Sequence, residues 1–130
     1  MLDLPLTLRA HGRADIEVAW ERYVDFALWS TWSPQISSVA ADASRIAPGV
    51  TGRVHGPLGV HVDFVIDAVD ELARMWAWTV RLGPIRLVLE HGVAARGAGC
   101  STWLRVRGPA PVVVGYAPLA RLALGRLVRP

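Results

Sequence analysis

The stretch Met75 to Val93, MWAWTVRLGPIRLVLEHGV, constrains the fold more than any other part of the chain. Trp76, Trp78, Val80 and Leu82 alternate with Met75, Ala77, Thr79 and Arg81. After Gly83 and Pro84 the alternation resumes as Ile85, Leu87, Leu89, His91 and Val93. A period of two sends successive side chains to opposite faces of a strand. Only two residues separate the runs, and a two-residue turn of type II′ takes glycine first and tolerates proline second. The spacing predicts a hairpin with Leu82 opposite Ile85, Val80 opposite Leu87, Trp78 opposite Leu89, and Trp76 opposite His91. One face of that hairpin is apolar except for a single imidazole.

The same logic sets the neighbouring strands. Pairing Ala94 with Ser101 brings Glu90 opposite Arg105, a charge pair, and Gly92 opposite Trp103, an aromatic ring over a strand glycine. Thr102, Leu104 and Val106 then join the apolar face. Pairing Val54 with Val62 and Phe64 with Val80 leaves Asp63 between Arg53 and Arg81 on the other face, where Arg81 also meets Arg86. A slip of one residue would invert every face, so the agreement of apolar faces and opposed charges fixes the register. Before this meander, Leu2, Leu4, Leu6 and Leu8 alternate with Asp3, Thr7 and Arg9 as a half-buried strand over residues 2–10. Asp15 is an N-cap candidate for a helix whose apolar stripe is Ile16, Ala19, Trp20, Tyr23, Val24, Ala27 and Leu28. That helical region breaks at Ser33-Pro34. The chain closes on PVVVGYAPLARLALGRLV, an apolar helix whose regular part Pro118 is expected to start or kink. Arg121, Arg126 and Arg129 sit near its end, where cations suit the dipole.

An antiparallel sheet with one apolar face needs a cover, and this last helix is the long apolar element left to supply it. The expectation is an α+β, helix-grip architecture: a curved antiparallel sheet wrapped around the C-terminal helix, with two short helices after the first strand. With 130 residues the chain forms one domain, 1–130.

The pattern resembles the START-like superfamily, and within it the SRPBCC polyketide cyclase/dehydrase group. The residues that carry the likeness are Ala14-Asp15 ahead of Val18, Ala19 and Trp20, then Asp25, Trp29 and Trp32-Ser33-Pro34. After them come Gly49-Val50-Thr51-Gly52, the strand MWAWTV, and LVLEHGV followed by a glycine-rich turn and STWLRV. The resemblance spans about residues 4–125. It implies a cavity between sheet and long helix that holds a hydrophobic small molecule. Such folds host cyclases, carriers and other activities, so the fold alone does not select among them. The last helix here is shorter than is usual in the family, which predicts a cavity open at one end or covered by a second copy.

Within that architecture, His91 is the first candidate for chemistry. It is either a general acid/base, or a donor to a ligand, or a satisfied core residue. Tyr116, on the last helix, is its candidate catalytic partner. Trp76, Trp78, Phe64, Leu89, Thr102 and Tyr23 are the candidate ligand-binding residues, the tryptophans as stacking surfaces and the hydroxyls as polar handles. Their alternative role is ordinary core packing. His55 and His61 face each other across a hairpin tip near Asp63, but Arg53 would repel a cation there, and no metal site is expected. Nor is a cofactor: no phosphate loop and no nucleophile elbow occurs.

The composition narrows the partners. All fourteen basic residues are arginine and the net charge is only +3. The arginines are scattered, which argues against nucleic acid. An interaction protein using Arg53, Arg81, Arg86, Arg105 and Arg107 against an acidic partner is the alternative reading. A membrane-facing version would use the C-terminal leucines with Arg121, Arg126 and Arg129. No apolar run reaches the ~20 residues of a membrane span. The N-terminus has no secretory pattern and there is one cysteine, Cys100, in a glycine-rich turn. Both point to the cytoplasm, as a monomer or a homodimer.

Overall fold

A computed structural model describes residues 3–130. Among these, seven strands form one antiparallel sheet in the order β1-β7-β6-β5-β4-β3-β2. The strands are β1 (Asp3–Gly12), β2 (Ser38–Ala41), β3 (Thr51–His55), β4 (His61–Asp70), β5 (Met75–Leu82), β6 (Ile85–Arg96) and β7 (Gly99–Pro109). Helix α1 (Ile16–Val24), a 3₁₀ turn (Phe26–Leu28) and the short helix α2 (Trp29–Trp32) cross from β1 at one edge to β2 at the other. The last element is the helix α3 (Ala110–Leu127). The sheet is curved and α3 lies across its concave side, the helix-grip arrangement expected from the sequence.

The registers are those the sequence predicts. Trp76 pairs with His91, Trp78 with Leu89, Val80 with Leu87 and Leu82 with Ile85. Glu90 pairs with Arg105 and Gly92 with Trp103; a Cβ on Gly92 would run into the Trp103 indole. Asp63 sits between Arg53 and Arg81, and accepts a 2.8 Å bond from Arg53 Nε. Gly83 takes φ +56°, the left-handed value that the first position of the turn requires. In β4 the register shifts between Ile66 and Ala68, a bulge at Asp67. The Asp67 carboxylate accepts a 2.7 Å bond from the Thr79 hydroxyl. A bulge of this kind bends the strand and deepens the curve of the sheet.

Several boundaries differ from the sequence reading, each for a physical reason. The helical stripe ends at Val24, not Leu28. Asp25 turns extended (φ −92°, ψ 111°) and its carboxylate accepts from the Ala27 N–H at 2.9 Å, so Phe26 is buried and Ala27 is exposed. Pro118 does not start α3, which already begins eight residues earlier. The carbonyl that Pro118 cannot satisfy belongs to Val114, an exposed residue, so water can take that bond. Cys100 is the second residue of β7, fully buried, rather than part of the turn. Strand β2 went unread because SVAA is too short to show alternation. The strand expected over residues 2–10 is β1, Asp3–Gly12; Leu2 lies outside the described residues.

The far end of α3 is sealed. The Arg22 guanidinium donates to the carbonyl oxygens of Leu127 (2.7 Å) and Arg129 (2.5 Å), groups that a helix end leaves without partners. The Ala14 N–H donates to Val128 O at 3.0 Å. Gly12 and Gly99 let the backbones of β1, β7 and the end of α3 pass at close quarters: a Cβ on Gly99 would collide with the Gly12 carbonyl oxygen. Gly115, exposed on α3, has open space around it. Gly99→Ala is therefore expected to lower stability by at least about 2 kcal/mol, whereas Gly115→Ala raises it by roughly 0.5–1 kcal/mol. Urea unfolding of the two variants checks both signs.

Candidate functional site

The interior between sheet and helix is built from aromatic rings. Trp29 and Trp32, three residues apart on α2, pack edge-on against each other with ring centroids 6.5 Å apart, and Trp29 faces the sheet. Trp29 meets Trp76 at 5.6 Å and Trp78 at 5.0 Å between ring centroids. Tyr23 of α1 packs edge-on against Trp32, Trp76 and His91. An indole carries a donor that needs a partner when buried. Trp20 donates to Glu71 Oε2, Trp29 to Tyr23 O and Trp32 to Arg22 O, each at 2.8 Å. Trp78 Nε1 donates to His91 Nε2 at 3.1 Å. Trp76 Nε1 is buried without a partner.

His91 is 3% exposed and stacks on Trp76, ring centroids 4.6 Å apart and planes within 10°. Burial alone pulls its pKa from 6.5 to about 3, so the ring is neutral at physiological pH. Its Nε2 accepts the Trp78 proton, so the ring's own proton sits on Nδ1. That Nδ1 is buried and unpartnered, as is Oε1 of Gln35.

These groups border a small inner chamber of about 30 Å³, walled also by Trp29, Trp32, Leu104 and Leu124. Its size suits one or two water-sized groups. A larger outer cavity of about 380 Å³ adjoins it, with Val54, Val62, Val80, Leu87 and Leu89 on the sheet side and Pro57, Leu58 and Val60 at the rim. Gln35, Ile36, Trp78 and Tyr116 line both spaces and form the neck between them. The opening lies over β3 and β4, away from the sealed C-terminal end of α3.

Of the residues singled out in the sequence, His91, Trp76, Trp78, Leu89 and Tyr116 come together on these walls. Desolvation pushes the Tyr116 phenol up to about 12, so it is a neutral donor. Tyr23, Thr102 and Phe64 pack in the core behind them. Thr102 Oγ1 donates to Gly92 O at 2.8 Å, which leaves it to accept the Tyr23 hydroxyl proton at 2.5 Å; both groups are spent on each other. Phe64 packs against Trp78 and Trp29. Sequence reasoning missed Gln35 and Ile36, which follow the Pro34 break, and did not place Trp29 and Trp32 among the ligand-binding candidates, although both wall the inner chamber. The signal for the last two was their i, i+3 spacing.

Elsewhere, the His55 and His61 rings lie 6.3 Å apart, and Asp63 is engaged by Arg53. Among the described residues no group of three or more His, Cys, Asp or Glu gathers, and no helix is long and apolar enough to cross a membrane.

A curved sheet closed by one helix over an apolar interior defines a START-like helix-grip domain. The chain belongs to the family described as polyketide cyclase / dehydrase and lipid transport, whose profile matches residues 6–130. No curated protein matches it in sequence. Among solved structures it is similar to Ara h 8.0201, with a TM-score of 0.77, 15% identity, and coverage of 96% of this chain and 95% of that one. It is also similar to an uncharacterized protein from Rhizobium leguminosarum, with a TM-score of 0.73, 16% identity and coverage of 97% and 92%. At these identities the likeness concerns the fold.

The state of His91 has a consequence for stability. The unfolded chain takes up a proton on this ring below its ordinary value of 6.5, and the folded protein does not until about 3. Its contribution is therefore full above about pH 6.5 and falls as pH drops through that window, by about 1.4 kcal/mol per pH unit. Between about pH 7.5 and about pH 5 the wild type is expected to lose about 2 kcal/mol that His91→Phe does not lose. Urea midpoints of both proteins at the two pH values measure the difference, and equal slopes would show that the folded protein protonates His91.

Proposed function

We propose that this protein binds a hydrophobic small molecule in the cavity between the inner face of β3–β6 and α3. The observation that carries the reading is the outer cavity of about 380 Å³ with aliphatic walls, open at one side and adjoined by a small inner chamber with which it shares Gln35, Ile36, Trp78 and Tyr116. Apolar, largely preformed spaces of this kind with a few polar groups are how proteins take up small ligands. Membership of a family whose description includes lipid transport agrees with it.

Between a carrier and a cyclase or dehydratase, the chemistry of His91 favours the carrier. A general base works best with a pKa near the operating pH. His91 is held near 3, and its Nε2 lone pair is already occupied by Trp78. The ring can donate from Nδ1 but is a poor acceptor of protons. Its inferred partner in catalysis, Tyr116, sits at the neck as a neutral phenol. In the reading we favour these two residues orient a ligand instead of moving its protons. An interaction role for the outer arginines is less supported, because Arg53 is paired with Asp63 and Arg105 lies opposite Glu90. The buried thiol of Cys100 fits a cytoplasmic location, with the protein acting on a small molecule as a monomer or homodimer and without nucleic acid.

The test uses N-phenyl-1-naphthylamine, whose fluorescence rises in an apolar site. It is expected to bind the wild type. Val62→Arg places a long cation on the cavity wall from a half-buried strand position. It should weaken binding by about tenfold or more while leaving the melting temperature within a few degrees. Absence of binding to the wild type, or full affinity in the variant, would remove the cavity as the ligand site.

A further inference from the structure

Native interiors leave few buried polar atoms without a hydrogen bond, because each one forgoes its bonds to water. Here three such atoms belong to residues around the same inner chamber: His91 Nδ1, Trp76 Nε1 and Gln35 Oε1. Their chemical senses are fixed. An indole nitrogen only donates. The bond from Trp78 to His91 Nε2 commits His91 Nδ1 to donating as well. Trp76 and His91 are 2% and 3% exposed and stack face to face, so both donors sit in one wall. The Gln35 oxygen accepts. The remaining walls of the chamber are mainly aromatic and aliphatic, and no ionised side chain lines them.

Resting on the hydrophobic-ligand reading above, we infer that the inner chamber receives the polar end of the ligand, a neutral oxygen acceptor such as a ketone, aldehyde, ester or hydroxyl group, while its apolar body fills the outer cavity. A hydrocarbon end would leave two N–H donors unmet. A carboxylate would be desolvated in a chamber with no cation to face it. A hydroxyl adds a proton for Gln35. The chamber's volume of about 30 Å³ takes an oxygen and the carbon that bears it but no ring, so the ligand enters with its polar end first, past Tyr116 and Trp78. The specificity this creates comes from the cost of leaving built-in donors unpaired, which discriminates more sharply than apolar contact does.

Equilibrium dialysis with three probes of one shape tests the inference: 2-acetylnaphthalene, its alkene isostere 2-isopropenylnaphthalene, and 2-naphthoate. The ketone is expected to bind the wild type about tenfold more tightly than the alkene, and the carboxylate more weakly than the ketone. Trp76→Phe removes one donor and keeps the ring. It should reduce the ketone's advantage to about threefold and leave alkene affinity within about twofold. In the wild type, ¹⁵N-resolved spectra should show the proton of His91 on Nδ1, and its resonance should move downfield with the ketone but not with the alkene; this reading stands even if the variant does not fold. Equal affinity for ketone and alkene, or tighter binding of the carboxylate, overturns the inference and leaves the hydrophobic cavity intact. If neither neutral probe binds the wild type, the cavity reading itself fails, and this inference with it.

Discussion

A seven-stranded sheet has more concave surface than one helix can cover, and the interior is organised around that mismatch. Helix α3 packs against β1 and β7, at one side of the sheet. The inner face of β3 to β6 is left to other means. Over β5 and β6 the cover is aromatic: Trp29 of α2 packs onto Trp76 and Trp78, and Tyr23 of α1 onto Trp76 and His91, with Trp32 against Trp29 and Tyr23. Large rigid rings fill that space with little loss of rotamer freedom. On β4 the rings of Phe26 and Trp29 still reach Phe64. Beyond it Val54, Val62, Val80, Leu87 and Leu89 face an open cavity, with Tyr116 as the contribution from α3. Core and cavity are two treatments of one surface, and the boundary between them runs through Trp78.

That division explains which parts were legible in the sequence. The alternation in β4 to β7 was readable because opposite faces carry opposite chemistry, and each pairing could be checked twice, once by apolar contact and once by charge. Glu90 with Arg105 and Asp63 with Arg53 are surface pairs of small energetic value. Their worth was as witnesses to register. What sequence periodicity could not reveal was depth. Leu89, Trp78 and Phe64 share one face of the sheet, yet the first two line a cavity and the third is packed against Trp78 and Trp29. The difference is set by where α2 lands, and that depends on the turn at Asp25 and on the Ser33-Pro34 break, local events that leave no periodic trace. Gln35 was invisible for the same reason: a lone amide in a loop has no pattern to belong to.

Arg22 illustrates a third category, a residue that is legible only afterwards. In sequence it is a charge off the apolar stripe of α1. In the fold it reaches the end of α3 and satisfies carbonyls of residues 105 and 107 positions away. The bond ties the helix that covers β1 and β7 to the helical segment that supplies Trp29 and Trp32. Both covers of the sheet are thus held to each other at one end, and the cavity opens away from that end.

The polar atoms of the inner chamber follow from how the tryptophans were satisfied. Trp20 donates to the Glu71 carboxylate, and Trp29 and Trp32 donate to backbone carbonyls of α1. Trp78 donates to His91 Nε2, and by donating there it settles the tautomer of the imidazole and leaves the ring's Nδ1–H buried without a partner. One buried indole therefore passes its donor requirement, through a neutral histidine, to the chamber itself. Trp76, stacked against that histidine, adds a second. An apolar residue in place of His91 would leave Trp78 unmet, so the imidazole is retained for the core whether or not a ligand is present. The unmet N–H at its other edge is the consequence, at about 1–3 kcal/mol if nothing answers it. A domain of this size has a net stability of only about 5–15 kcal/mol, so a deficit of that order is a meaningful fraction of the whole. A ligand oxygen or an ordered water removes it. If the chamber receives a ligand oxygen as proposed, its preference for an acceptor is in this sense a by-product of core satisfaction, reached from the open side of the sheet.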